Sequence, residues 1–159
     1  MIKLSRLADY SIVMMTQLAA RPGALMQAPD MALMTGLPVP TVSKVMKKLA
    51  QSGLVDSHRG AKGGYALTRL AEDIPVTEII AAVDGPIALT ECTVPDESGC
   101  EHEALCPTRT NWRKINDAVV GALREISLAD MTPQMAPFVP PMFGIQPAGP
   151  EVTGEHGNG

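Results

Sequence analysis

The chain has few aromatic residues, few cysteines and no long apolar run near its start. Only 3% of its 159 residues are aromatic, although 45% are hydrophobic and ten are methionine. Apolar volume supplied by Leu, Ile, Val, Ala and Met favours helices over a β-sandwich. The apolar stretch Ile12–Met15 is far too short for a signal-peptide core or a membrane span. We therefore expect a cytoplasmic protein.

The groups needed for enzyme chemistry are also scarce. There is no C-x-x-C motif, no Ser-His-Asp set and no phosphate-binding glycine loop after a strand. The histidines fall in three different parts of the chain, His58 in a predicted hairpin, His102 in the cysteine loop and His156 in the C-terminal tail, so they do not readily form a catalytic pair. A redox enzyme or a cluster carrier is therefore the least favoured class, and we predict a protein that is not an enzyme.

Charge is distributed unevenly along the chain. The net charge is −4, but the segment Pro38–Arg69 has six basic residues and one acidic residue, which leaves −9 for the remainder. Screening limits charge effects to a Debye length of roughly 8–10 Å, so a basic patch on an acidic protein can still bind phosphate.

The order of elements predicts a winged helix-turn-helix. Helices are expected at 4–20, 29–35, 39–52 and 76–83, with a β-hairpin around the sequence SHRGAKGG between the third and fourth. The third helix has an apolar stripe formed by Val42, Val45, Met46 and Leu49. The fold class is thus mainly α with a small β-wing.

The predicted DNA contacts lie on the third helix and at the hairpin tip. The first turns of a recognition helix contact base edges in the major groove, whereas basic residues further along and in the wing contact phosphates or the minor groove. A lysine-rich helix face or a glycine-rich hairpin, taken alone, is more typical of a solvated surface. Their order and shared basic bias favour DNA binding, through Thr41, Ser43, Lys44, Lys47, Lys48, His58, Arg59 and Lys62.

The C-terminal half divides into a cysteine loop, a helix and a tail. The segment Asn111–Ala129 predicts one long amphipathic helix whose apolar stripe suits dimerisation, and 131–159, with six Pro and five Gly, predicts a disordered tail. We predict a DNA-binding domain at 1–86, a cysteine loop with a dimerisation helix at 87–130, and the tail at 131–159.

All three cysteines fall in one loop, with the spacing Cys92-x7-Cys100-x5-Cys106. An odd number this close together argues against a disulfide scaffold, and thiolates prefer iron–sulfur clusters, zinc or Cu(I). The paired C-x2-C motifs of a zinc ribbon are absent, so structural zinc fits less well, and a thiol switch or zinc site stays the alternative. Local candidates for a fourth ligand are His102, Glu101, Glu103 and Glu91.

Three stretches of the chain resemble a known family: LSRLADYSIVMMTQLA, PVPTVSKVMKKLAQSGLVDSHRGAKGGYALTR and TECTVPDESGCEHEALCPTRTNWRKIN. They are similar to the Rrf-type winged-helix iron–sulfur regulators, which include IscR, NsrR and RsrR, over about positions 1–130. The branch that regulates SUF iron–sulfur cluster assembly is the most similar. The resemblance implies a transcription regulator that binds double-stranded operator DNA as a homodimer and senses a [2Fe–2S] or [4Fe–4S] cluster.

The same resemblance implies a ligand set. IscR-like members have a histidine three residues after the last cysteine, where this chain has Arg109. In NsrR-like members an aspartate of the first helix of the partner subunit completes the set, and Asp9 stands at the matching place. The implied ligands are therefore Cys92, Cys100, Cys106 and Asp9 of the partner subunit.

Overall fold

The computed structural model describes residues 4–94 and 106–132. Helices α1 (Arg6–Ala19), α2 (Ala28–Thr35) and α3 (Val39–Gln51) precede a hairpin of β1 (Val55–His58) and β2 (Gly64–Leu67). A 3₁₀ turn (Ala71–Asp73), α4 (Val76–Asp84), a second 3₁₀ turn (Glu91–Thr93), α5 (Arg109–Arg124) and α6 (Leu128–Met131) follow. The predicted fold class, mainly α with a small β-wing, is confirmed.

Helix boundaries follow local chemistry. The hydroxyl of Ser5 accepts a hydrogen bond from the Ala8 amide at 3.0 Å and so caps the start of α1. Gly36, with φ +70°, adopts the left-handed conformation that ends α2. Prolines in the first turns of α2 and α3 cost no hydrogen bond, because the first amides of a helix have no partner within it.

Methionine fills much of the core. Met14, Met15, Met31 and Met46 are fully buried among the aliphatic side chains of α1, α3 and α4. Each buried side chain of this size contributes roughly 1.5–3 kcal/mol of transfer free energy. The core therefore needs little aromatic volume, in keeping with the composition.

The wing is an antiparallel hairpin that a third segment joins. Val55 pairs with Leu67 and His58 with Gly64. The Met26 amide donates to the Tyr65 carbonyl at 3.0 Å, and the Tyr65 amide donates back at 2.9 Å. A Cβ at Gly64 would lie 2.8 Å from the Met26 carbonyl oxygen, so this close approach requires glycine.

The prediction of one continuous helix over Asn111–Ala129 is wrong at the C-terminal end. The chain leaves α5 after Arg124, and α6 is a separate helix. There the Leu128 amide donates to the Ile74 carbonyl at 2.7 Å, and the Val76 amide donates to the Ile126 carbonyl at 2.9 Å. Through these hydrogen bonds, the chain after α5 packs again on the domain that contains α1–α4.

Helix α6 belongs to the same core as α1 and α4. Leu128 is fully buried in that core, and Ser127 caps α6 through reciprocal hydrogen bonds with Asp130. We call residues 4–84 together with 126–132 the head. The predicted division at 86/87 stays a prediction, and the predicted tail lies outside the described residues from 133 onward. Within the described ranges, no helix has the length and hydropathy to cross a membrane.

Candidate nucleic-acid interface and cysteine site

Helix α3 presents most of the predicted DNA contacts outward. Its buried stripe, Val42, Val45, Met46 and Leu49, is fully enclosed by the head. Ser43, Lys44 and Lys47 are exposed on the other side, and Thr41 is half-buried in the first turn. The side chains available for base and phosphate contact are therefore displayed by a helix anchored on its opposite face.

Lys48 is placed differently from its neighbour Lys47. Its side chain is half-buried, and its Nζ donates to the backbone carbonyl of Val83, in the last turn of α4, at 2.6 Å. Lys48 therefore does not share the exposed side on which Lys47 lies. Adjacent residues on a helix point about 100° apart, and here the second of them reaches α4.

The wing tip displays the other predicted contacts. His58, Arg59 and Lys62 are all exposed. The turn is closed by the Gly63 amide, which donates to the Gly60 carbonyl at 2.9 Å. These basic side chains extend the positive surface of α3 onto a second element.

One residue that positions the wing was not predicted. The side-chain amide of Gln27, just before α2, donates from Nε2 to the Ala61 carbonyl at 3.1 Å. This bond ties the wing tip to the start of α2. The two residues are 34 positions apart, so no local pattern in the sequence indicates the contact.

Cys92 lies in the 3₁₀ turn Glu91–Thr93. Its Sγ is 3.2 Å from the hydroxyl of Thr90, and the turn is capped by reciprocal Thr90–Thr93 hydrogen bonds. Just upstream, the Leu89 amide donates to Oδ1 of Asn116 on α5 at 3.0 Å. Asn116, only 7% exposed, is the one buried residue of α5 and fixes the segment that leads to Cys92.

Cys106 stands just before α5. Its Sγ is 3.3 Å from the hydroxyl of Thr108. Hydrogen bonding by the Thr108 side chain, followed by the Thr108 backbone, lowers the pKa of the Cys106 thiol, and the positive charge of Arg109 acts in the same direction. These contacts favour the thiolate, which is the form that binds metal.

Of the other ligand candidates, the structure describes only Asp9 and Glu91. Cys100, Glu101, His102 and Glu103 lie outside the described residues, and Arg109 begins α5. Asp9 is exposed in the first turn of α1, and Glu91 is exposed beside Cys92. Over residues 4–94 and 106–132, no three His, Cys, Asp or Glu side chains come together to hold a metal.

The donor chemistry nevertheless suits a soft metal centre. Cys92 and Cys106 are both free thiols and both half-buried. Each has a threonine hydroxyl within 3.3 Å. Both residues offer the sulfur donors that a soft metal centre prefers.

The predicted apolar stripe exists on α5. Trp112 is 40% exposed and Ile115 47%, while Val119 and Leu123 are half-buried. Ile126, predicted to continue the stripe, is 38% exposed but lies beyond the end of α5. Within the described chain this face has little cover.

Comparison with known proteins identifies the family. Residues 4–134 match the Rrf2 family, described as "Iron-dependent Transcriptional regulator". The chain belongs to the Rrf2 family. The resemblance inferred from the recognition helix, the wing and the cysteine loop is thereby confirmed.

Among curated relatives, this Rrf2 chain is 34% identical over 102 residues to the HTH-type transcriptional regulator IscR of Photorhabdus laumondii, covering 64% of this chain and 61% of that protein. It is 33% identical over 102 residues to IscR of Escherichia coli O1:K1 / APEC, covering 64% of this chain and 62% of the relative. The match thus spans about three fifths of the length of these relatives.

Solved structures agree on the fold. CymR, described as the global cysteine regulator of B. subtilis, has a TM-score of 0.65 and 30% identity, covering 83% of this chain and 97% of its own. T. potens IscR has a TM-score of 0.63 and 30% identity, and the match covers 82% of this chain and 85% of the IscR chain. The relatives of this Rrf2 chain are regulators and not enzymes, which confirms the prediction that it is not an enzyme.

Proposed function

We propose that the chain is a homodimeric DNA-binding transcription regulator whose operator affinity depends on an iron–sulfur cluster. The observation that carries this proposal is the state of the two described cysteines. Both are free thiols beside threonine hydroxyls, and both flank a segment containing the third cysteine, in a chain of an iron-dependent regulator family. The regulator acts in the cytoplasm, which contains its operator DNA.

DNA is read by α3 and the wing. Thr41, Ser43 and Lys44 lie early in α3, where a recognition helix meets base edges. Lys47 faces the phosphates, and Arg59 and Lys62, with His58, approach the adjacent minor groove from the wing tip. The exposure of the lysines, the arginine and the histidine supports this arrangement, since phosphate contacts need accessible charge.

Dimerisation uses the apolar face of α5. Trp112 and Ile115 are large hydrophobic residues left exposed on one face of a helix, which is the usual sign of a protein interface. Pairing of two α5 helices covers this face, together with Val119 and Leu123. A two-fold dimer sets the recognition helices about 34–36 Å apart, one turn of DNA, and so selects a two-fold operator.

Cys92, Cys100 and Cys106 of one subunit, with Asp9 of the partner subunit, would hold the cluster. When bound, the cluster would make the site sensitive to iron supply and oxidation. The chain's own residues prepare the site: Thr90 and Thr108 contact two of the thiols, and Asn116 fixes the backbone before Cys92. The exposure of Asp9 on α1 leaves its carboxylate accessible to a partner.

The genes of SUF iron–sulfur cluster assembly are the target that we propose. This step rests on the resemblance of the wing and cysteine loop to the regulators of that system. Selection of operator sequences from random DNA, followed by a search for the selected sequence upstream of cluster-assembly genes, tests it. A selected sequence that is absent from those promoters would exclude this target.

The cluster is tested by the visible absorbance spectrum of anaerobically purified protein, with iron and acid-labile sulfide counted per chain. We expect a coloured protein with stoichiometric iron and sulfide, and loss of both in Cys92→Ala. The conservative variant Thr93→Ser, next to Cys92, is the matched control and should keep the colour.

A thiol switch is the second candidate, because the lowered pKa of Cys106 also favours a reactive thiolate. Protein that stays colourless after anaerobic reconstitution, yet changes operator affinity on mild oxidation, would select this alternative.

A further inference from the structure

Lys48 joins the recognition helix to the end of α4. Its Nζ donates to the Val83 carbonyl oxygen at 2.6 Å, across 35 positions of sequence. The carbonyls of the last helical turn lack partners within the helix and carry the negative end of its dipole. An ammonium group at this point is therefore held by both hydrogen bonding and charge.

The end of α4 is also bound from α1. The Ser5 hydroxyl donates to Oδ1 of Asp84 at 2.7 Å, one residue beyond Val83. Gly85, with φ +86°, ends the helix. Two elements of the DNA-reading head thus bind the last two residues of α4 through side chains.

The chain beyond this point leads directly to the first cysteine. Five residues after Asp84, the Leu89 amide is bound by Asn116 of α5 at 3.0 Å, and Cys92 follows three residues later. The short stretch 85–88 therefore lies between two fixed points. One is bound by the recognition helix and the other by the helix that begins just after Cys106.

We propose that Lys48 is a positioning residue and not a phosphate contact: it transmits displacement of the segment before Cys92 to the recognition helix. A shift at Leu89 moves the end of α4, and the Lys48 ammonium carries that shift to α3, whose exposed side meets DNA. The part that concerns cluster state rests on the proposed function. The absence of a phosphate contact does not depend on it.

The first experiment compares Lys48→Met with Lys47→Met in full-length protein without a cluster. Each substitution keeps an unbranched apolar stem and removes the ammonium group. Operator affinity is measured by fluorescence anisotropy between about 50 and 200 mM salt. We expect Lys47→Met to reduce the slope of log affinity against log salt by about 0.9, as for one lost phosphate, and Lys48→Met to leave it unchanged. An equal reduction in Lys48→Met would overturn the proposal.

The second experiment measures amide hydrogen exchange at Gly85 and Leu89 in the same protein. Lys48→Met should accelerate exchange at both amides several-fold, Lys47→Met at neither, and Lys48→Arg should largely restore the wild-type rates because it keeps donors at the same place. Unchanged exchange in Lys48→Met would show that the lysine does not position this segment, and would also overturn the proposal.

The third measurement is the ratio of operator affinities with and without the cluster. Lys48→Met should bring this ratio towards one. Lys47→Met should lower both affinities by the same factor and leave the ratio unchanged. A wild-type ratio of one would refute cluster sensing itself, and the salt slopes and exchange rates would still decide the role of Lys48. A wild-type ratio that Lys48→Met leaves intact would refute the coupling.

Discussion

The head and the cysteine-bearing segment that connects its two stretches of chain are stabilised in different ways. Across residues 4–94 and 106–132, every buried hydrophobic side chain belongs to the head. Helix α5, although 16 residues long, buries only Asn116 and leaves Trp112 and Ile115 largely exposed. The hydrophobic core of the described residues therefore lies within the head, whereas the apolar face of α5 is only partly covered by them.

The largest effect on stability is expected from a cavity in the core of the head. Met46→Ala removes a fully buried side chain from α3 and should lower the free energy of unfolding by about 2–5 kcal/mol. Thermal or urea denaturation measures it. Met34→Ala, at a methionine that is 38% exposed, is the control and should have a much smaller effect. Equal losses from the two would show that the core is not organised as described.

The apolar face of α5 provides the complementary test. Ile115→Glu should weaken dimerisation by at least about 2 kcal/mol, roughly 30-fold in Kd, while leaving the head folded. Sedimentation velocity gives the oligomeric state, and circular dichroism checks the fold. Lys114→Glu, an adjacent exposed position, serves as the control for added negative charge. A dimer that survives Ile115→Glu would place the interface elsewhere.

A smaller effect is expected where the segment rejoins the head. Ser127→Ala removes the cap of α6 and should cost about 1 kcal/mol of stability. Ser127 hydrogen bonds lower the pKa of the Asp130 carboxyl. The stabilisation that they give is therefore present at neutral pH and is lost as the pH falls through the folded-state pKa.

Melting temperatures measured from neutral pH to well below the ordinary aspartate pKa of about 3.9 test whether this stabilisation is lost on acidification. The wild type should lose more stability on acidification than Ser127→Ala. An identical loss in both proteins would mean that the Ser127–Asp130 contact does not contribute.

The smallest effect concerns the wing. Gln27→Ala removes the hydrogen bond to the Ala61 carbonyl and should lower stability by no more than about 0.5–1.5 kcal/mol. It should also free the wing tip and so weaken operator binding roughly 2–10-fold. Gln51→Ala, at an exposed glutamine ending α3, is the control for anisotropy titrations. Unchanged affinity in Gln27→Ala would show that the wing tip is positioned without this bond.

The elements of the head could be predicted because each has a local cause. The stripe Val42–Leu49 repeats at helical spacing, and the glycines around Lys62 indicate a hairpin. The end of α5 could not be predicted in this way. The apolar pattern continues to Ile126, but backbone bonds to Ile74 and Val76 interrupt the helix. Tertiary contacts override local preference there.

The candidate site residues were named from the sequence, whereas the contacts that support them could not be predicted. The spacing of three cysteines indicates a metal or redox centre, and the basic bias of α3 and the wing indicates DNA. Lys47 and Lys48 look equivalent in the sequence, and only the packing of α3 on α4 separates them. Asn116 and Gln27 likewise act on backbone groups 27 and 34 positions away, so their roles have no local signature.

The chain departs from the head at Asp84 and comes back at Ile126, beside Ile74–Val76. The head is therefore built from two separate stretches of the chain, which are joined by the backbone hydrogen bonds of Val76 to Ile126 and of Leu128 to Ile74. A different segment, grafted between the same two points, would leave the bonds that close the head in place.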